Sequence, residues 1–181
     1  FLTDSTGVQV YHKSKLVVGV ETLPFRDIVE PLLGNVMLDF GGTILTRATQ
    51  EEREAFPLYN DVKISPVICY ESVYGEFVTG YVRNGAEVLA IMTNDAWWGD
   101  TAGHKQHMAY ASLRAIETRR AVVRAANTGI SGFITPLGEV SEKLAYTTKG
   151  VLTEAVYPQS AITLYVRLSL IHISEPTRHR R

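Results

Sequence analysis

The sequence predicts an α/β fold. The apolar stretch from Val62 to Ile68 reads as a strand, the residues from Val73 to Arg83 carry apolar side chains at helical spacing, and Glu87 to Thr93 holds a second short apolar run. Strand–helix–strand in that order implies parallel neighbours joined by a right-handed crossover. A chain of 181 residues, 45% hydrophobic and 20% charged, can bury one substantial core.

The elements follow in order. Residues 1–12 read as the second half of a hairpin, with Ser5-Thr6-Gly7 as turn material and alternation from Val8 onward. Lys13 to Glu21 leaves that strand as a loop. Pro24 and Pro31 bound any helix between Thr22 and Leu33. Gly34 to Asn60 is a polar connection, and its charged run Glu51-Glu52-Arg53-Glu54 reads as a solvated face. Asn84-Gly85 stops the helix that begins at Val73. Asn94 to Gly103 is a loop rich in Asp, Gly and Trp. His104 to Arg120 reads as a helix with Met108, Ala111, Ala115 and Ile116 on its apolar face, and Arg114, Glu117 and Arg119 off it. Ala121 to Ala126 and Ile130 to Thr135 are strands flanking the turn Asn127-Thr128-Gly129. Gly150 to Val156 and Ile162 to Val166 are candidate closing strands. The domain is expected over 1–167. Residues 168–181 look like a translated sequencing adapter and are set aside as a probable non-native tail, a native C-terminal tail being the competing reading.

Composition excludes some classes. A net charge of -1 gives no overall field for nucleic acid, so no nucleic-acid partner is expected. No stretch approaches the ~20 apolar residues that span a bilayer. A single cysteine, Cys69, excludes an internal disulfide. No residue pattern calls for a metal or a cofactor.

Cys69 sits where the strand Val62–Ile68 ends and a turn begins. Such an elbow lifts a nucleophile clear of a sheet, and a following helix N-terminus would favour the thiolate. The competing reading is a small buried hydrophobe. Acyl transfer through a thiol also needs a proton acceptor and positive charge at the developing oxyanion. His12, His104 and His107 are not spaced to demand a Cys–His pair and read as surface or packing residues. Lys13, at the end of an alternating strand, could stabilise both thiolate and oxyanion; the competing reading is a solvated surface lysine.

Four blocks in order carry a resemblance: Tyr11-His12-Lys13-Ser14-Lys15-Leu16-Val17 followed by Glu21, then Val67-Ile68-Cys69-Tyr70-Glu71-Ser72, then Thr93-Asn94-Asp95-Ala96-Trp97-Trp98-Gly99, then Gln106-His107 through Arg114–Arg120 to Arg124-Ala125-Ala126-Asn127-Thr128-Gly129. Together they resemble the nitrilase (carbon–nitrogen hydrolase) superfamily, and within it the branch that acylates lipoproteins. Tyr165-Val166-Arg167 continues the match.

The resemblance implies a nitrilase-type four-layer α-β-β-α sandwich, here N-terminally truncated, and a Glu–Lys–Cys site. Cys69 would be the nucleophile and Lys13 the lysine. Glu21 and Glu71 match further glutamates that position the lysine or pass protons, a loop salt bridge or cap being their alternative role. The Tyr70 N–H would join Lys13 at the oxyanion. Trp97 and Trp98 would face lipid, against core packing as the alternative. The family's base glutamate lies upstream of its lysine, and no residue here takes that role, so the chain alone is expected to be inactive. The implied partners are a phospholipid acyl donor, an apolipoprotein acceptor and, through segments absent here, a membrane. The implied location is the bacterial inner membrane with the domain on the periplasmic side. A soluble nitrilase-type amidase acting on a small amide is the alternative, and an inactive fragment a third.

Overall fold

The computed structural model describes residues 2–4, 7–17 and 49–168. Glu21, the proposed short helix between Pro24 and Pro31, most of the polar connection and the tail at 169–181 lie outside the described residues.

A short antiparallel hairpin pairs β1 (Leu2–Asp4) with β2 (Gly7–Gln9). The main sheet has six strands in sequence order: β3 (Phe56–Pro57), β4 (Lys63–Ile68), β5 (Val88–Thr93), β6 (Ala121–Ala126), β7 (Ser131–Ile134) and β8 (Val140–Leu144). β4, β5 and β6 run parallel, and antiparallel strands flank them. Two helices make the parallel crossovers, α1 (Gly75–Arg83) from β4 to β5 and α2 (Ala102–Thr118) from β5 to β6. Sequence periodicity therefore gave the βαβ order correctly.

Both helices cover one face. Val67, Leu89, Ile91, Val122 and Ile134 from the sheet pack with Phe77, Val78, Tyr81 and Val82 of α1 and with Met108, Ala111 and Ala115 of α2. Strand alternation turns Pro66, Ile68, Ala90, Met92, Val123 and Phe133 to the other face. Both faces of the parallel strands are thus apolar, the pattern of a sheet covered on two sides. Pro66 is tolerated inside β4 because the β3 partner has ended: β3 pairs only with Lys63 and Ile64, so no ladder bond is lost on that side.

Four expectations are corrected. Gly150–Val156 and Ile162–Val166 are not strands; residues 151–163 are irregular and 164–168 form a helical turn whose Val166 is buried in the core. The last sheet position goes instead to β8, whose polar Ser141-Glu142-Lys143 hides it from a hydrophobicity reading. On α2, Arg114 belongs to the buried stripe, while Ile116 is 42% exposed. Helical spacing from His107 and Ala111 puts position 114 on the core side whatever residue occupies it. Finally, the α-helix starts at Gly75, because a 3-10 turn, Cys69–Val73, comes first.

Candidate active site

Cys69 lies at the C-terminal end of β4, where ligands gather in open α/β sheets. It is partly exposed and its φ is +53°, the left-handed region. For a non-glycine residue that conformation costs roughly 1–2 kcal/mol, so the surroundings must enforce it. The elbow expected from the sequence is present. No α-helix N-terminus follows directly on the sulfur, since α1 begins six positions later.

Glu71 is the strongest of those surroundings. It is fully buried, and its carboxylate collects donors from three parts of the chain. Oε2 accepts from the Ile68 N–H at 2.7 Å and the Tyr81 hydroxyl at 3.4 Å. Oε1 accepts from the Tyr11 hydroxyl at 2.7 Å, the Ser14 N–H at 2.5 Å and the Lys15 N–H at 3.4 Å. The carboxylate therefore clips the Tyr11–Lys15 segment, with Lys13 at its centre, to the turn that starts with Cys69. Burial, opposed by hydrogen bonds from Ser14 and Tyr81 and reinforced by the Glu71 charge, pushes the Tyr11 hydroxyl up to about 12. Burial and the Glu71 charge also raise Tyr81. Both phenols keep their protons and serve as donors.

A second buried cluster supports the turn from below. The Cys69 carbonyl accepts from the Ser72 hydroxyl at 2.8 Å and lies 3.2 Å from His107 Nε2. Ser72 Oγ itself sits 2.9 Å from the same nitrogen. The carbonyl can only accept, whereas the Ser72 hydroxyl can donate to this nitrogen or accept from it, according to the ring tautomer. His107 Nδ1 lies 2.9 Å from Asp95 Oδ1, an ion pair when the ring holds both protons. Asp95 Oδ2 accepts from Arg124 Nη2 at 2.7 Å, and Thr93 donates to Oδ1 at 2.9 Å. Burial alone would raise the Asp95 carboxyl, but the His107 hydrogen bond, the Arg124 and His107 charges and Thr93 outweigh it and hold the pKa below its ordinary value. Burial lowers Arg124, against the charges of Asp95 and Cys69.

Ser72, Asp95, His107 and Arg124 had no assigned role from the sequence. One signal was available. Arg124 interrupts the apolar run Ala121–Ala126 at a core-facing position, and a buried arginine requires a buried acceptor.

The two tryptophans part ways. Trp97 is 69% exposed. Trp98 packs edge-on against His107 with ring centroids 5.1 Å apart. Trp98, Tyr70, Val73, Gly103, His107 and Tyr110 line a cavity of about 180 Å³ beside the Cys69–Val73 turn, with Gln106 at its wall. Among the described residues no cluster of His, Cys, Asp and Glu is arranged to hold a metal ion, and no helix is long and apolar enough to cross a membrane.

Comparison with known proteins decides the family. The profile described as Carbon-nitrogen hydrolase matches residues 1–164. The chain belongs to the carbon–nitrogen hydrolase family. Curated relatives named apolipoprotein N-acyltransferase include those of Wigglesworthia glossinidia brevipalpis, 33% identical over 161 residues, and Chlorobaculum tepidum, 35% identical over 164. These alignments cover 89% and 87% of this chain but 32% and 30% of the relatives, so the chain spans about a third of their length. Among solved structures, the carbon–nitrogen hydrolase from Helicobacter pylori G27 aligns at 15% identity with a TM-score of 0.49, covering 57% of this chain and 43% of its own. An amidase from Nesterenkonia sp. AN1 aligns at 19% with a TM-score of 0.46, covering 54% and 40%.

Proposed function

We propose that this chain carries the cysteine site of a lipoprotein N-acyltransferase. The observation that supports it most is the buried Glu71 clip, which joins the Lys13-bearing segment to the Cys69 turn. The names of the curated relatives supply the substrate class.

In this reading a base removes the Cys69 thiol proton, and the sulfur attacks an ester carbonyl of a phospholipid. The Lys13 ammonium and the Tyr70 N–H stabilise the oxyanion. The C–O bond breaks, the departing lysophospholipid oxygen takes a proton, and a Cys69 thioester remains. The N-terminal amine of a diacylglyceryl-cysteine apolipoprotein attacks that thioester, forms an amide and returns the thiol. Two half-reactions replace one encounter of two lipids. Glu71 acts by holding the Lys13 segment in place. Glu21 is assigned to the same site on sequence resemblance. The cavity lined by Tyr70, Val73, Trp98 and Tyr110, beside the turn that Cys69 begins, offers an apolar wall for the acyl chain, and the exposed Trp97 suits the lipid interface of a membrane enzyme of the bacterial inner membrane, working on its periplasmic side. The base role is assigned to no residue of this sequence, so the chain by itself is expected to form no thioester with phospholipid.

The test is acyl transfer to a diacylated lipoprotein by the full-length protein carrying this sequence. Cys69→Ala is expected to abolish transfer and Lys13→Ala to reduce it at least 100-fold, the scale of losing one oxyanion donor. Undiminished transfer in Cys69→Ala would remove the thiol from the mechanism. Hydrolysis of a small amide without any lipoprotein acylation would favour the amidase reading.

A further inference from the structure

The Cys69 carbonyl is held by two buried side chains. A trans peptide points its C=O and its N–H in opposite directions, and the described residues contain no cis bond. The Cys69 carbonyl turns inward, onto the buried Ser72 hydroxyl and His107 Nε2. The N–H of the same peptide unit belongs to Tyr70, and it therefore points the other way, outward from the buried cluster. The left-handed φ at Cys69 makes this orientation costly to hold without support.

That support is layered. His107 is 1% exposed and cannot swing out. Asp95 fixes its Nδ1 edge, Trp98 covers its ring, and Arg124 fixes Asp95 by a 2.7 Å contact while anchoring itself on the Ile130 carbonyl at 3.0 Å. Gly129 lets this pack, since a Cβ there would lie 2.2 Å from Asp95 Oδ2. A Ser–His–Asp series at hydrogen-bond spacing thus runs beneath the nucleophile, but its serine is fully buried and its hydroxyl is used on the Cys69 carbonyl. Its chemistry is orientation.

We propose that His107, braced by Asp95 and Arg124 and assisted by Ser72, is a positioning residue that locks the Cys69–Tyr70 peptide and so aims the Tyr70 N–H at the oxyanion. The proposal rests on Cys69 being the acylated nucleophile. It assigns His107 to the alignment of a donor and not to proton transfer with the thiol.

Two reactions of the same sulfur separate these roles. Acylation by a p-nitrophenyl ester passes through an oxyanion; alkylation by iodoacetamide does not. Both are followed at Cys69 by peptide mass spectrometry in the full-length protein. His107→Gln is expected to slow acylation about 100-fold, the cost of a misaligned oxyanion donor, and to change alkylation less than about 3-fold. Ser72→Ala removes one hydroxyl, threatens folding least, and is expected to slow acylation about 5-fold, one ordinary hydrogen bond, with alkylation unchanged. Equal losses in both reactions for both variants would overturn the proposal, because they would mean general damage or an effect on the thiol. Unchanged acylation in both variants would also overturn it. A wild-type protein that accepts the activated ester but not phospholipid would sink the substrate reading while leaving the lock intact. Acylation by neither would overturn both.

Discussion

Two arginine–carboxylate pairs, one fully buried and one partly, touch the turn that begins at Cys69 from opposite ends, and burial affects them differently. Arg124 and Asp95 meet at 2.7 Å beneath its start, where His107 carries the contact to the Cys69 carbonyl. Arg114 and Glu117 meet at 2.9 Å near its end, where Arg114 Nη1 donates to the Val73 carbonyl at 3.1 Å. The Asp95 carboxyl is held below its ordinary value, whereas burial raises Glu117 in spite of the Arg114 charge and a Tyr165 hydrogen bond. The difference lies in the donors. Asp95 is met by Arg124 at 2.7 Å and by His107 and Thr93 at 2.9 Å, whereas among charged groups Glu117 is met by Arg114 alone. A carboxylate survives burial as an ion only where enough donors replace its water.

The largest expected effect comes from breaking the first pair. Asp95→Asn leaves Arg124 buried without its counter-charge and should cost about 3–5 kcal/mol in urea unfolding. Glu117→Gln should cost less than about 1 kcal/mol, because that site already resists the charge. Equal costs would erase the contrast between the pairs. Gly129→Ala probes the first pair without touching a charge: the added methyl must displace Asp95 and should destabilise by about 1–3 kcal/mol. The corresponding change at the other pair is Gly75→Ala, whose Cβ would lie 2.6 Å from Arg114 Nη1 and 2.4 Å from the Tyr165 hydroxyl.

The pH dependence of the two pairs should run in opposite directions. Asp95 is lowered when folded, so its stabilisation is full above its ordinary value of 3.8 and disappears as pH falls through the lower folded value. Glu117 is raised when folded, so its contribution is full below its ordinary value of 4.5 and is lost as pH rises through the higher folded value. Measured against wild type, Asp95→Asn should therefore become relatively less harmful in acid, and Glu117→Gln relatively more favourable as pH rises past 4.5. Parallel pH curves for the two variants would contradict the assignment of the shifts. A similarly small effect is expected at the Glu71 clip: Tyr11→Phe removes one hydrogen bond to Glu71 and should cost about 1 kcal/mol, with a several-fold loss of acyl transfer.

The parts of this architecture that follow from periodicity were legible in the sequence. Val73 to Arg83, Val88 to Thr93 and Ala121 to Ala126 show their structure through apolar spacing, and the Cys69 elbow follows from a strand running into a polar turn. Strand β8 was not legible, because its outward residues are polar and its place is set by pairing with β7. A reading that treats charge as a sign of exposure misplaces Arg114, whose position on α2 faces the core. His107 and Asp95 were missed for a different reason. They are twelve residues apart, on a helix and a loop, and only the β5–α2 connection brings them under Cys69.

The central claim is that Cys69 accepts an acyl group under the charge of Lys13. The direct measurement is peptide mass spectrometry of the full-length protein after incubation with phospholipid and no lipoprotein acceptor. The account predicts one fatty acyl mass on the peptide containing Cys69, removed by hydroxylamine and strongly reduced in Lys13→Ala. An acyl group on another residue, or full acylation of Cys69 in Lys13→Ala, would contradict it.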